Sequence, residues 1–267
     1  MSERNLMGRK ALVTGGARGI GAAIAAALAR AGADVMIGDI LDDVGQATAA
    51  ALVQYGTQVG FVHLDVADDG QWQHAVARTV QRLGGFDLLV NNAGLDVTAL
   101  ITDIEADGLR RMCEVNIIGT ALGMKHAFQA MRPGGSAGHG GSVVNIASAA
   151  ANIVFPSVAG YAGTKSAVER MTRVAAMEAA RFGHGVRVNC IHPGVIATEL
   201  GTQLAKDMVA RGMAADLQAA QVSMVERIPL GRMGEADNVA DAVVFLSSTQ
   251  ARYITGVGLP VDGGMGM

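Results

Sequence analysis

Three side chains in the second half of the chain have the types and spacing of a proton-transfer site. Tyr161 and Lys165 stand four residues apart at the start of a predicted helix, which places them on one helix face about 5–6 Å apart. An ammonium at that distance favours the phenolate and would lower the tyrosine pKa from about 10. Taken alone, the pair also fits an amphipathic tyrosine beside a solvated lysine. Ser148 favours catalysis, because it directly follows a predicted strand, and parallel sheets bind ligands at the carboxyl ends of their strands.

A glycine-rich segment near the N-terminus has the composition of a phosphate-binding turn. The first predicted strand runs into TGGARGIG, where Gly15, Gly19 and Gly21 permit a sharp turn, close approach to a pyrophosphate and tight helix packing. The helix that begins near Gly19 presents unpaired N–H groups and the positive end of its dipole to phosphate oxygens. A glycine triplet alone also fits a plain turn, but its place between the first strand and the first helix favours dinucleotide binding.

Asp39, at the end of the second predicted strand, is the candidate for ribose recognition. A carboxylate there can accept hydrogen bonds from both adenosine ribose hydroxyls, and it would repel the 2′-phosphate of NADP. The sequence therefore predicts NAD, although Arg18 opposes this preference because a basic residue there attracts the 2′-phosphate. Asp39 also fits as an N-terminal cap of the helix that begins near Asp42.

An alternation of strands and helices positions these candidates. The predicted strands, each a short apolar run, are 10–14, 34–38, 59–64, 87–90, 142–146, 186–191 and 258–261. The predicted helical segments are 20–31, 42–54, 71–83, 104–131, 162–182 and 236–246. The glycine-rich loop that follows residue 133 is expected to be a flexible surface connection.

Continuous apolar strands joined by helices predict an α/β fold, a doubly wound parallel sheet with helices on both faces. We expect a single domain over residues 1–267. Its cofactor-binding half covers about 8–146, and the catalytic helix and substrate region cover about 147–267. A helical insertion at about 198–229, named the lid segment below, interrupts the alternation.

Composition excludes several classes of protein. Hydrophobic residues make up 50% of the chain and charged residues 17%, which excludes a disordered chain. A net charge of −3 indicates no nucleic-acid partner. Two cysteines are too few for a disulfide framework and indicate a reducing compartment. Without an apolar segment of signal or membrane-spanning length, we expect a cytoplasmic protein and no membrane partner. The six histidines show no paired spacing, so we expect no metal site.

Motifs over essentially the whole chain resemble those of the short-chain dehydrogenase/reductase family. They are TGGARGIG, LDV, NNAG, Asn116, Ser148, YAGTK, HPG and LPVDGG, in matching order and spacing. The resemblance implies a Rossmann-like, seven-stranded sheet, a nicotinamide cofactor and a catalytic set of Asn116, Ser148, Tyr161 and Lys165. It implies that Tyr161 is the general acid/base and that Ser148 binds the substrate oxygen. Lys165 would lower the tyrosine pKa and hold the nicotinamide ribose, and Asn116 would hold a water that relays protons to Lys165.

The resemblance also implies where NAD binds. Asp65 and Val66 would flank the adenine, and residues 193–198 would surround the nicotinamide carboxamide. The expected cofactor-binding residues are Gly15, Arg18, Gly19, Ile20, Gly21, Asp39, Ile40, Asp65, Val66, Asn92, Ala93, Gly94, Tyr161, Lys165, Pro193, Gly194, Ile196 and Thr198.

These expectations predict an NAD-dependent oxidoreductase that interconverts a secondary alcohol and its ketone. The alternative enzyme is a 3-oxoacyl-[acyl-carrier-protein] reductase that uses NADPH. Phe182 stands where such reductases carry a docking arginine, with Arg181 beside it, and Asp39 argues against NADPH. A nucleotide-bound regulator without catalysis is a third hypothesis, which the intact catalytic set disfavours.

The expected substrate pocket is largely apolar. The resemblance implies Leu95, Asp96, Ala150, Asn152, Ile153, Phe155 and Val158 as its positions, and the lid segment adds Leu200, Leu204, Met208, Met213, Leu217 and Met224. We therefore expect a neutral, largely apolar alcohol or ketone, cyclic or aryl-substituted, although ordinary packing onto the sheet edge explains the lid residues equally well. The charge-poor C-terminal segment, 253–267, and the long helices predict a homotetramer.

Overall fold

The strands of the chain pair side by side in an all-parallel sheet. This computed structural model describes residues 5–267, except for the side chain of Leu200. Residues 1–4 of the expected domain lie outside the described part. The strands are β1 (Lys10–Thr14), β2 (Asp34–Asp39), β3 (Val59–His63), β4 (Leu88–Asn91), β5 (Gly141–Ile146), β6 (Val186–Pro193) and β7 (Gly258–Val261). Their order is β3-β2-β1-β4-β5-β6-β7. The predicted doubly wound, seven-stranded, single-domain α/β fold is confirmed for the described residues.

Helices connect the strands and cover both faces of the sheet. They are α1 (Gly19–Arg30), α2 (Asp42–Leu52), α3 (Asp69–Leu83), α4 (Ala106–Met112), α5 (Gly119–Met131), α6 (Ala159–Arg181), α7 (Glu199–Ala210), α8 (Leu217–Glu226) and α9 (Ala236–Ser247). One face packs on α1 and α9 through residues such as Leu28 and Val243. The other face packs on α3, α5 and α6 through residues such as Trp72 and Ala179. Because both faces are buried, the strands are continuously apolar.

The long segment predicted at 104–131 is not one uniform helix. A π-helical segment, Cys113–Ile118, separates α4 from α5. Each residue in such a segment bonds one position further along the chain than in an α-helix, and these segments are frequent at functional sites. Asn116, a predicted catalytic residue, lies inside this segment and is fully buried.

The glycine-rich loop after α5 lies at the surface, as expected, and is hydrogen-bonded to the end of that helix. The amides of Ala137 and Gly138 both donate to the carbonyl of Ala130, at 2.9 and 3.1 Å, and that of Gly140 donates to Met131 at 2.8 Å. These bonds satisfy carbonyl groups that a helix C-terminus leaves unpaired. The loop therefore fixes the point at which the chain enters β5.

Candidate active site

The glycine-rich turn lies where the strand order reverses, between β1 and β4. The Thr14 hydroxyl accepts hydrogen bonds from the amides of Asn92 and Ala93, both at 3.1 Å. The Asn92 side chain donates to the carbonyls of Thr14 and Gly15, both at 3.0 Å. These bonds tie the segment after β4 to the turn after β1. In open α/β sheets, ligands bind in the crevice at this switch point.

The turn forms a cradle that fits a dinucleotide. Gly15 adopts a positive φ of 60°, and a Cβ added to Gly21 would lie 2.0 Å from the Gly15 carbonyl oxygen, so a side chain at position 21 would block the turn. No heavy atom lies within 4 Å of a Cβ added to Gly19, so the first turn of α1 borders open space. Arg18, the N-cap, makes no side-chain cap bond to this helix. The helix start therefore offers N–H groups to a pyrophosphate.

Asp39 joins the glycine-rich turn to β2. Its Oδ2 accepts a hydrogen bond from the Ala17 amide at 3.0 Å, and its Oδ1 accepts one from the Leu41 amide at 3.1 Å. The N-cap of α2 is Leu41, without a side-chain cap bond, so the capping alternative for Asp39 is wrong. The carboxylate is 8% exposed at the carboxyl end of its strand. This position fits recognition of the adenosine ribose.

The Arg18 side chain forms an ion pair with Glu199. Its Nη1 lies 2.5 Å from Oε2 of Glu199, the first residue of α7. The ion pair thus connects the glycine-rich turn with the lid segment across 181 positions of the chain. Both side chains are largely exposed, at 64% and 82%, so water and salt weaken the attraction.

The other predicted cofactor residues lie at the same edge of the sheet. Ile40 is 59% exposed beside the end of β2, whereas Val66 and Ile196 are buried. Pro193 ends β6, and Gly194 follows it. Thr198 is the N-cap of α7, where its hydroxyl accepts a bond from the Gly201 amide at 3.5 Å. Parallel strands bring these residues to one edge, together with Ile20 of α1, Asp65 after β3 and Gly94 after β4.

The predicted acid/base pair lies in the first two turns of α6. The Nζ atom of Lys165 is 5.7 Å from the centre of the Tyr161 ring and donates a hydrogen bond to the Ile146 carbonyl at 2.8 Å. Ser148, two residues after β5, accepts a bond from the Ala150 amide at 3.1 Å. A hydrogen bond also links the side chains of Ser148 and Tyr161. The ends of β5 and α6 therefore bring the three predicted groups together.

Burial controls the protonation of this pair. It raises the pKa of Tyr161 to about 12, although the hydrogen bond with Ser148 lowers it. Burial also lowers the pKa of Lys165 to about 8. The spacing argument predicted a lowered tyrosine pKa, and this direction is wrong for the chain by itself, because loss of solvation is the largest effect on the phenol and the charge of Asp96 adds to it. The neutral phenol is therefore the stable form and can donate a proton.

Asn116 fixes the backbone next to the catalytic pair. Its Oδ1 accepts a bond from the Leu95 amide at 2.8 Å, and its Nδ2 donates to the Leu95 carbonyl at 2.8 Å and to the Thr164 hydroxyl at 2.9 Å. Thr164 in turn donates to the Tyr161 carbonyl at 2.8 Å. Asn116 is thus a positioning residue in this structure, and its role in holding a proton-relay water stays a prediction.

Two residues near the site were missed from the sequence. Thr164, which lies between Tyr161 and Lys165, connects Asn116 to the catalytic helix. His192 is 2% exposed behind Ser148, and its Nδ1 lies 2.9 Å from the Ser148 carbonyl oxygen. The HPG motif contains this histidine, but no local pattern indicates its contact with a residue 44 positions away.

The lid segment has a small core of its own. Buried Ala205, Ala220 and Met224 pack with partly buried Leu204 and Met208 between α7 and α8. Met213 and Leu217 are exposed, at 36% and 45%. Ordinary packing therefore accounts for Leu204, Met208 and Met224, as the alternative interpretation held.

The described residues also bear on metal binding and on membrane insertion. Within residues 5–267 no cluster of three or more histidine, cysteine or acidic side chains is arranged to hold a metal ion. Over the same residues, none of the helices combines the length and the apolar character that crossing a membrane requires.

Comparisons with known proteins match nearly the full chain. A family model described as enoyl-(acyl carrier protein) reductase matches residues 15–266. The chain is 38% identical to trans-4-hydroxycyclohexanecarboxylate dehydrogenase of Sinomonas cyclohexanicum, covering 95% of this chain and 91% of that protein. It is 35% identical to 2,5-dichloro-2,5-cyclohexadiene-1,4-diol dehydrogenase LinX of Sphingobium indicum, covering 97% and 96%. The crystal structure of an NAD+-bound xylitol dehydrogenase is similar with a TM-score of 0.90 and 27% identity, covering 97% of this chain and 99% of that one.

Proposed function

The chain belongs to the short-chain dehydrogenase/reductase family of nicotinamide-dependent oxidoreductases, and on that premise we propose that it uses NAD to interconvert a neutral, largely apolar secondary alcohol and its ketone. The observation that carries this proposal is the meeting of Tyr161, Lys165 and Ser148 at the sheet edge that carries the glycine-rich turn. The matching families and relatives are dehydrogenases and reductases, which supports oxidoreductase chemistry.

The chain's own residues supply the proton chemistry. When bound, the nicotinamide ring exchanges a hydride with the substrate carbon. Tyr161 donates its phenolic proton to the ketone oxygen during reduction and accepts it from the alcohol during oxidation. Ser148, hydrogen-bonded to the same phenol, orients the substrate oxygen. Lys165, held by the Ile146 carbonyl, stabilises the phenolate whenever Tyr161 has lost its proton.

A cyclic substrate is supported by the relatives and by the pocket. The two curated relatives described above act, by their names, on six-membered rings that carry a hydroxyl group. Leu95, Ile153 and Phe155 are partly buried in the region expected to receive the ring, and Val158 is 5% exposed. An apolar lining of this kind favours a ring over a short hydroxy acid.

The proposal departs from the Sinomonas enzyme in the charge of the substrate. Binding a carboxylate would require a free cation in the pocket, and Arg211 already donates to the Thr98 carbonyl at 2.6 Å. Lys206 lies on α7 and is exposed. Asp96, which is partly buried in the pocket region, carries negative charge, and its charge also acts on Lys165. The Arg227 guanidinium is a cation that borders the pocket, 5.1 Å from the centre of the Phe155 ring. The negative charge of Asp96 and the engagement of Arg211 nevertheless favour a neutral substrate over an anionic one.

No observation favours a 3-oxoacyl-[acyl-carrier-protein] reductase that uses NADPH. Phe182, at the expected docking position, is 68% exposed and offers no charge to an acidic carrier protein. Asp39 holds the turn with its carboxylate, where it would face a 2′-phosphate.

We also propose a homotetramer. Apolar side chains are exposed on the two long helical regions expected at the interfaces, Ile118 at the start of α5 and Val174, Met177 and Phe182 along and after α6. These four are between 46% and 68% exposed. Large apolar side chains exposed on both helical regions support contact with another subunit.

A substrate screen tests the function. The purified protein is incubated with NAD or NADP and a series of cyclic and aryl secondary alcohols, and NAD(P)H formation is followed by absorbance. We expect NAD-linked oxidation of at least one neutral alcohol. In Tyr161→Phe, which lacks the exchangeable proton, we expect turnover to fall by about 10²–10⁴-fold or more. Titration with NADH is expected to give the same cofactor affinity for both proteins. Turnover of the variant within about tenfold of the parent would contradict the assigned role.

A further inference from the structure

One carboxylate in the pocket region lacks a hydrogen-bond partner within the part of the chain that the structure describes. Asp96 stands five residues after the end of β4, and its Oδ1 atom is buried without a partner among the described residues. Buried acceptors in folded proteins are nearly always bonded, and an exception calls for a specific explanation. A group that binds a ligand is one such explanation.

The backbone around Asp96 is fixed on both sides. Leu95 is clamped through its amide and its carbonyl by Asn116. The Val97 amide donates to the sulfur of Met112 at 3.3 Å. Further along, Ala99 forms a bridge with Val158, and its amide donates to the Ser157 carbonyl at 2.8 Å. Asp96 therefore projects from a rigid segment, as a specificity residue should.

Contacts and charges connect Asp96 with the catalytic pair and the lid segment. A Cβ added to Gly94, two residues before Asp96, would lie 3.3 Å from the Nζ atom of Lys165. The negative charge of Asp96 raises the pKa of both Tyr161 and Lys165. Burial raises the pKa of Asp96 itself to about 6, and the charge of Asp207 on α7 adds to this effect. Asp207 is already engaged, because it accepts bonds from Thr98 at 2.6 Å and Gln203 at 2.9 Å. Asp96 thus keeps an acceptor without a partner among the described residues, in a segment that borders Lys165.

We propose that Asp96 accepts a hydrogen bond from a second hydroxyl group of the substrate, so that the preferred substrates are cyclic diols. This inference rests on the alcohol oxidation proposed above and narrows its substrate class. Tyr161 and Ser148 take the oxygen that reacts, and Asp96 takes a hydroxyl elsewhere on the same ring. A simple alcohol such as cyclohexanol would leave the acceptor unpaired and would be bound less tightly.

Charge favours a hydroxyl group over the two charged alternatives. A substrate carboxylate near Asp96 would be repelled by it and by Asp207. A substrate ammonium would be attracted by Asp96, but it would lie close to the Lys165 ammonium, whose charge already lowers the pKa of Asp96. A hydroxyl group meets neither repulsion.

The test compares diols with cyclohexanol in the wild type and in matched variants. kcat/KM is measured with NAD for cyclohexanol, the cyclohexane-1,2-, 1,3- and 1,4-diols, 4-aminocyclohexanol and 4-hydroxycyclohexanecarboxylate. We expect the best diol to exceed cyclohexanol about 10- to 100-fold in the wild type, which is the effect of one hydrogen bond to a charged acceptor. Asp96→Leu should remove most of this ratio, chiefly through the KM of the diol, and Asp96→Asn should restore part of it. Asp241→Asn, an exposed carboxylate on α9, is the control, and it should keep the ratio within about threefold because it lies outside the pocket region.

Several outcomes would overturn the inference. Cyclohexanol oxidised as well as every diol, or an unchanged ratio in Asp96→Leu, would exclude a substrate contact. A preference for the aminoalcohol or the hydroxy acid over all diols would mean that the site near Asp96 binds a charged substrate group and not a hydroxyl. A lower thermal unfolding midpoint in Asp96→Asn, with an unchanged ratio, would assign Asp96 to the fold.

Binding separates this inference from the proposed function. If no alcohol is oxidised with either cofactor, the proposed function fails. In that case the contact between Asp96 and a diol can still be tested by binding. The measurement is the rise of the unfolding midpoint when cyclohexane-1,4-diol is added to the NADH-loaded protein. That rise should be larger in the wild type than in Asp96→Leu, and equal rises would overturn the inference.

Discussion

Cofactor choice is predicted to depend on Asp39 far more than on the Arg18–Glu199 ion pair. Asp39 is 8% exposed and holds the glycine-rich turn through the Ala17 amide. A 2′-phosphate brought to about 4 Å from this carboxylate meets a repulsion of about 4 kcal/mol per charge pair at an effective dielectric of 20. It also forfeits a ribose hydrogen bond worth about 1.5–3 kcal/mol. A tenfold ratio of kcat/KM corresponds to about 1.4 kcal/mol. Even half of the summed repulsion and lost hydrogen bond therefore gives NAD at least about a hundredfold advantage over NADP in kcat/KM.

The Arg18–Glu199 pair acts in the same direction with a smaller magnitude. Glu199 engages the guanidinium that a 2′-phosphate would otherwise attract. Pairs between side chains this exposed are worth about 0–1 kcal/mol. Glu199→Gln should therefore raise kcat/KM for NADP by no more than about fivefold and leave that for NAD unchanged.

Three variants and the wild type make the comparison. kcat/KM is measured with both cofactors for the best alcohol, and the unfolding midpoint is recorded in parallel. Asp39→Ala should bring the NAD/NADP ratio to within about tenfold, partly because the amides of Ala17 and Leu41 lose their acceptor. Asp43→Ala, an exposed carboxylate on α2, should keep the wild-type ratio. A wild-type preference for NADP, or a larger change in Glu199→Gln than in Asp39→Ala, would refute this reasoning.

Three further predictions concern stability and assembly. Burial lowers the pKa of Lys165 from 10.5 to about 8, so the unfolded chain binds more protons than the folded chain between these pH values. The stability of the wild type relative to Lys165→Met should therefore rise by up to roughly 3 kcal/mol as the pH increases from about 8 to about 10. Urea unfolding at several pH values measures this difference, and a pH-independent difference would contradict it. Asn116→Leu removes three hydrogen bonds and leaves the amide and the carbonyl of partly buried Leu95 unpaired, which should cost about 3–5 kcal/mol of unfolding free energy. Thr164→Val, which loses fewer bonds, should cost about 1–2 kcal/mol, and equal losses would count against the clamp. Light scattering should give a mass near four times 27.3 kDa, whereas a stable 27.3 kDa species at micromolar concentration would exclude the tetramer.

The sequence predicted the sheet because apolar runs and glycine turns are local signals. All seven predicted strands are present within one or two residues, and the ends of β1, β2 and β4 bring the predicted cofactor residues to one edge. The motif resemblance placed Tyr161, Lys165, Ser148 and Asn116 at one site, and the structure brings them together there. The start of α6 at Ala159 is three residues earlier than predicted, because its N-cap is Val158, which has no side chain able to cap a helix.

What the sequence did not predict depends on contacts between distant residues. The Arg18–Glu199 pair and the clamp of Asn116 on Leu95 join positions whose proximity follows from the folded sheet. The π-helical segment has no distinctive composition, since CEVNII also fits an α-helix. The direction of the Tyr161 pKa shift was wrong because spacing reports the nearby ammonium but not the loss of solvent.

The order of the strands has a consequence for how the chain folds during its synthesis. The N-terminal half of the chain leaves the ribosome first, and β1, β2, β3 and β4 can form the sheet β3-β2-β1-β4 from that half alone. β5, β6 and β7 then add one after another to the same edge, and none has to enter between two strands that are already paired. The crevice at the switch point can thus form before α6 has been made. Assembly of the catalytic groups follows as a late step, in which α6 docks on a partly built sheet.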